Sequence, residues 1–172
     1  MSRFSINYSF KLSVYIKHFS ILILLLGLVA CSGNQTGKNA SILNDELFIE
    51  VLTTHLEAVS TKNIEQLKST LPPDNTFYLI LPGSKTQKQK SDFIDFHEEW
   101  FQDTSWTYEA VIVDTEIGSD LGIAIVDVFY REPLRDGKPY FNHMTVSYAL
   151  KKFDGLWRIM LDHASSIERS TG

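Results

Sequence analysis

The feature that most restricts this chain is a run of β-prone segments in its second half, separated by short turn signals. Trp106–Glu116 leads through Gly118-Ser119-Asp120 into Gly122–Arg131. A longer hairpin loop, Glu132–Pro139 with Asp136-Gly137 at its tip, leads into Asn142–Lys152. Phe153-Asp154-Gly155-Leu156 then turns the chain into Trp157–Ser165, with a frayed tail expected from Ile167. Asp-Gly readily takes the positive φ angles that a two-residue hairpin needs. Connections this short join antiparallel strands, because a parallel pair needs a crossover of a dozen residues or more.

Helical patterns come first. Asn44 or Asp45 can cap a helix over about 45–60. In it Leu47, Phe48, Val51, Leu52, His55, Leu56 and Val59 recur at three-and-four spacing. His55 sits on that apolar stripe and reads as a core histidine. Ile64, Leu67 and Leu71 carry a second helix, stopped by Pro72-Pro73. Thr76–Leu81 is a strand, residues 82–90 a polar loop or hairpin, and Ser91-Asp92 caps a third helix bearing Phe93, Phe96, Trp100 and Phe101. Helices followed by hairpin-linked strands predict an α+β fold with an antiparallel sheet. The stretches IAIVDV and MTVSYAL are apolar on both alternating faces. Both faces should then be covered, one by helices and the other by a partner subunit.

The chain has a single cysteine, Cys31, so no intramolecular disulfide is available. It ends a twelve-residue apolar run, FSILILLLGLVA, preceded by Arg3, Lys11 and Lys17. That run is too short to span a bilayer, which takes about 20 residues. It fits the apolar core of a secretory signal over residues 1–30. Leu28-Val29-Ala30-Cys31 resembles the lipobox of bacterial lipoproteins. The resemblance implies lipid on the Cys31 thiol and cleavage before it. Ser32, where inner-membrane retention signals usually put Asp, implies the outer membrane, with the domain facing the periplasm. Residues 31–43 are expected to be the lipidated cysteine and a flexible tether, 44–168 the domain and 169–172 a tail.

Loss of residues 1–30 takes three cations and no acid from a chain of net charge −5, leaving about −8. An acidic domain without a basic aromatic patch is not expected to bind nucleic acid. The four histidines beyond the signal are scattered and no HExxH spacing occurs, so neither metal nor cofactor is expected. No nucleophile elbow or Gly-rich phosphate loop is visible.

The stretch FHEEWF (Phe96–Phe101), then Trp106, then FDGLWRIMLDHASS (Phe153–Ser166) resemble, in order and spacing, the SnoaL-like bacterial members of the nuclear transport factor 2-like superfamily. That resemblance implies a cone-shaped α+β fold, N-terminal helices packed on a curved antiparallel sheet, and frequent homodimers. It implies no single activity.

Enzymes on this scaffold usually set one carboxylate or histidine in an apolar pocket, where desolvation makes it a usable base. Asp127, isolated between Val126 and Val128, and His143 are the catalytic candidates. Tyr78, His97, Trp100, Tyr108, Tyr130, Tyr148, Asp162 and His163 are candidate pocket residues. Asp127 lines the pocket or pairs with Arg158 or Arg131 on a sheet face. Asp162 and His163 must point to opposite faces unless a bulge intervenes. Three readings remain, the least specific being a dimeric structural domain whose pocket is filled by its own side chains. The favoured one is a lipid-anchored module whose pocket binds a small apolar or amphipathic ligand or a protein partner. The alternative is a small-molecule isomerase, dehydratase or hydrolase with a pocket Asp or His as general base.

Overall fold

The computed structural model describes residues 32–170, with side chains from residue 37 onward. Cys31 and the signal-like segment lie outside the described residues. The chain divides into two units, Met1–Leu43 and Asn44–Gly172. Among the described residues no helix is long and apolar enough to cross a membrane.

Three helices and six strands follow one another: α1 (Ser32–Ser60), α2 (Ile64–Ser69), β1 (Thr76–Ile80), β2 (Gln87–Gln89), α3 (Lys90–Trp100), β3 (Thr107–Ile117), β4 (Leu121–Arg135), β5 (Lys138–Phe153) and β6 (Leu156–Arg169). The first helix begins well before Asp45, so residues 32–41 are helical and not the expected coil. Once the apolar stripe from Phe48 has nucleated a helix, each further residue adds a hydrogen bond at little cost. Residues 37–43 are exposed.

The sheet order is β2-β1-β6-β5-β4-β3. The hairpin-linked strands are antiparallel, as their short turns demand. The sheet is nevertheless mixed, because β1 runs parallel to β6, pairing Tyr78 with Leu161 and Ile80 with His163. Helix α3 and three later strands separate those partners, ample chain for a parallel return.

The loop expected over 132–139 is a two-residue turn between long strands. Asp136 and Gly137 have φ of 55° and 84°, and Asp154 and Gly155 have 50° and 79°. Both pairs are positive throughout, the requirement of tight hairpins whose twist matches the sheet. The expected tail from Ile167 is strand as far as Arg169.

One sheet face carries Ala124, Val126, Val128 and Tyr130 of β4 and Val146, Tyr148 and Leu150 of β5, all buried. Against them α1 packs Phe48, Leu52, Leu56 and Val59. Phe48 meets Trp157 edge-on at 5.2 Å, and a Cβ at Gly122 would lie 2.7 Å from the Phe48 ring. Glycine at 122 is therefore what lets α1 sit this close to β4.

His55 is a core residue, with no exposed surface. The Thr70 hydroxyl gives its one proton to the Leu67 carbonyl at 2.7 Å, so His55 Nδ1 must donate to Thr70 Oγ1 at 2.8 Å. His55 Nε2 then has no partner among the described residues. Burial, reinforced by the neighbouring His97, pushes the imidazole down to about 3.

Candidate functional site

Strand pairing decides which side chains reach the interior. Trp157 and Ile159 of β6 face inward and are buried. Strict alternation would next turn residues 161 and 163 inward. Instead Leu150 pairs with Ile159 and Ala149 with Leu161, leaving Met160 unpaired. This bulge reverses the phase. Asp162 consequently faces inward opposite Tyr148, and His163 is exposed. A second bulge skips Ile167, since Met144 pairs with Ser166 and His143 with Glu168. It turns Arg169 inward opposite Asn142.

These residues help to line a cavity of about 460 Å³ between the inner sheet face, α1 and α3. Its inner wall carries Val59, Leu79, His97, Tyr108, Tyr148 and Asp162. Phe96, Trp100, Tyr130 and Met144 continue it outward, and Glu132, Arg135, Tyr140, Asn142 and Arg169 line its outer part.

Asp162 is the chemically distinctive group. Its surface is 9% exposed, and burial pushes its carboxyl up to about 7, with the Tyr148 side chain reversing part of the shift. A carboxyl in that range can hold or release a proton near neutrality. The Tyr108 and Tyr148 hydroxyls lie 3.3 Å apart, and burial raises both, so they remain protonated donors.

His97, on α3, adds an acceptor. The Phe93 carbonyl can only accept, so Nδ1 donates to it at 2.8 Å and Nε2 keeps its lone pair. Burial lowers this imidazole to about 4, which keeps it neutral. The local reason is helical geometry, since Phe93 lies one turn earlier on the buried face.

Farther out, the Tyr130 hydroxyl donates to Glu132 Oε1 at 2.6 Å and accepts from Trp100 Nε1 at 3.3 Å. Arg135 donates from Nε to Glu132 Oε2 at 2.9 Å and from Nη2 to Oε1, and its guanidinium lies 3.4 Å above the Tyr140 ring. Arg135 is the main cause holding the Glu132 carboxyl below its usual range. Trp100 stacks on buried Trp106 at 4.3 Å, so one tryptophan borders the cavity while the other fixes it in the core.

Of the sequence candidates, His97, Trp100, Tyr108, Tyr130, Tyr148 and Asp162 come together here. Tyr78 is 36% exposed and points away from the buried Phe77 and Leu79 row. Asp127 and His143 also lie away from the cavity, on the outer sheet face. They bond to each other, His143 Nε2 to Asp127 Oδ1 at 2.6 Å, and His143 stacks on Phe129 at 4.0 Å. Strand alternation explains the correction: Val126 and Val128 take the inner positions, so Asp127 must face outward. Its partner is His143 and neither arginine.

Glu132, Arg135, Tyr140, Asn142 and Arg169 had not been singled out. Glu132 and Arg135 fell in the assumed loop and Tyr140 between that loop and the expected strand, where alternation is not read. The inward turn of Arg169 depends on a bulge that no local residue pattern announces.

No curated protein sequence matches the chain. Solved structures share its fold. A nuclear transport factor 2-like family protein from Streptomyces avermitilis has a TM-score of 0.63 at 14% identity, over 73% of this chain and 98% of that one. A ketosteroid isomerase-like protein from Erwinia carotovora atroseptica has 0.61 at 15%, over 72% and 95%. The hexachlorocyclohexane dehydrochlorinase LinA-type3 from Novosphingobium barchaimii has 0.61 at 15%, over 79% and 90%. Such identities speak for the fold alone. In sequence, residues 49–168 match the SnoaL-like domain, most of the unit that carries the cavity, and the chain belongs to that family.

Proposed function

We propose that this domain binds a small, largely apolar molecule in its cavity and moves a proton on it through Asp162. The observation that carries this reading is a desolvated carboxyl, pushed up to about 7, on the wall of a cavity that also holds two tyrosine hydroxyls. A carboxyl titrating there serves as base once ionised and as acid while protonated. One of the Tyr108 and Tyr148 hydroxyls donates to the other, so the pair keeps one proton to donate to an oxygen that gains negative charge, and neutral His97 supplies a second acceptor. Binding is common to the favoured and the alternative sequence-based readings, and Asp162 favours the acid–base one. Fold relatives include a dehydrochlorinase and a ketosteroid isomerase-like protein, which accords with proton chemistry on this scaffold.

The test uses a generic carbon acid. In D2O, the full chain should accelerate deuterium uptake next to the carbonyl of 4-phenyl-2-butanone, with a rate rising through pH 7. Asp162→Asn should lower that rate by roughly 100-fold, the usual scale of a general base. Equal rates for the two proteins would rule out the role given to Asp162.

The domain's place is also proposed. The Leu28-Val29-Ala30-Cys31 motif behind a basic and apolar leader supports lipid attachment at Cys31, holding the cavity at the outer membrane on the periplasmic side. The outer sheet face supports pairing of two copies. It leaves Val111, Val113 and Ile123 exposed at 66%, 62% and 49%, more apolar surface than a solvated sheet face usually shows.

A further inference from the structure

The outer part of the cavity holds polar groups that the proton-transfer reading does not use. Asn142 and Arg169 oppose each other across β5 and β6 and both line the cavity, whereas Ser166, opposite Met144, is not among its lining residues. The Asn142 Oδ1 and Ser166 Oγ atoms are buried without a hydrogen-bond partner among the described residues. A buried polar atom left unpaired costs about 1–3 kcal/mol. Arg169 is turned to the cavity side by the bulge at Ile167, remains exposed to solvent at the cavity's outer end, and makes no ion pair with any described residue.

The charges around it are otherwise accounted for. Glu132 is bonded by Arg135 and by Tyr130. Asp103, also on the lining, is bonded by Ser105 and feels Lys62. Asp162 is largely protonated below neutrality. Arg169 is therefore the one lining cation without a carboxylate among the described residues.

We propose that Asn142 and Arg169 form a head-group subsite for a carboxylate at the outer end of the cavity, so that the ligand is an elongated monoanionic amphiphile. A carboxylate matches the planar fork of one guanidinium, and the Asn142 amide nitrogen supplies a further donor. Six residues of β5 separate Asn142 from Tyr148, a rise of about 20 Å at ~3.3 Å each. The apolar part then runs inward past Met144 and Val146 toward Asp162. The inference rests on the small-molecule reading above and gives it a substrate class.

The probes are decanoate and its neutral amide, decanamide, titrated into the full chain in lipid nanodiscs and read by tryptophan fluorescence against empty discs. Wild-type protein should bind decanoate at least tenfold more tightly than decanamide. Arg169→Gln should weaken decanoate about tenfold and change decanamide less than twofold. Equal affinities in the wild type, or equal losses for both probes, would overturn the head-group subsite while leaving the cavity reading intact. Failure of the wild type to bind either probe would overturn both. Asp162→Asn separates the two claims further, since it should slow deuterium exchange by roughly 100-fold yet preserve the preference for decanoate.

Discussion

Asp162 stands directly across the β5–β6 ladder from Tyr148, and both face the interior because Met160 is left unpaired between them and Ile159. One residue of register thus decides whether the last strand offers the cavity a carboxyl or a histidine. Deleting Met160 should remove the bulge while keeping Leu161 opposite Ala149 and Asp162 opposite Tyr148, so Asp162 stays inward; inserting one alanine between Leu161 and Asp162 should instead turn Asp162 out and His163 in. Asp162-dependent proton exchange should persist in the deletion and be lost in the insertion, even where circular dichroism shows a folded sheet.

The buried carboxyl should leave a mark on stability. Its folded value, about 7, lies above the ordinary 3.8, so unfolding favours proton release between those values. Stability from this group is complete below about pH 4 and falls as pH rises to about 7. The total is on the order of 4 kcal/mol. Asp162→Asn removes that dependence. In urea titrations the variant should gain on the wild type steadily between pH 4.5 and 8, with no further gain above pH 8. A constant difference across that range would contradict the desolvated state.

The two buried histidines act in the opposite sense. Their folded values, about 3 for His55 and about 4 for His97, lie below 6.5, so both must remain neutral in the folded chain. Their contribution is complete above pH 6.5 and is lost as pH falls toward 4 and 3. Between pH 4 and 6.5 two histidines outweigh one carboxyl, so wild-type stability should peak between about pH 6 and 7. Thr70→Val, which strips His55 Nδ1 of its acceptor, should cost about 1–3 kcal/mol by urea unfolding at pH 7.

Close packing between α1 and β4 gives a prediction independent of function. Gly122→Ala places a methyl 2.7 Å from the Phe48 ring and 3.0 Å from the Glu116 carbonyl, contacts that something must relieve. The expected cost is about 1–3 kcal/mol, the scale of overpacking. Phe48→Ala, which empties the same contact, should cost about 3–5 kcal/mol.

Asp127 and His143 offer a contrast with Asp162. Their side chains are 35% and 23% exposed on the outer face, where an ion pair is worth about 1 kcal/mol or less. Asp127→Asn should leave both deuterium exchange and decanoate binding unchanged. A large loss of either would mean that the outer face contributes to the site.

Much of the fold was legible in the sequence, because the patterns that reveal it are local. The stripe from Leu47 to Val59 marked α1, and the Asp154-Gly155 pair marked the β5–β6 turn. Alternation was also enough to show that Asp162 and His163 must part. What could not be read was phase over longer distances. The parallel pairing of β1 with β6 joins segments about 80 residues apart, and nothing near Tyr78 signals it. Asp127 drew attention as a charge among valines, yet a single charge in a strand apolar on both faces does not say which face is inner. Arg169 was obscured twice, by an assumed frayed end and by the bulge at Ile167.

The most direct measurement is the titration of the Asp162 carboxyl itself. With aspartate side-chain carboxyls labelled with carbon-13, the resonance that disappears in Asp162→Asn should titrate in the wild type with a midpoint near pH 7. A midpoint near pH 4 would show a solvated carboxyl and contradict the proton-transfer role assigned to it.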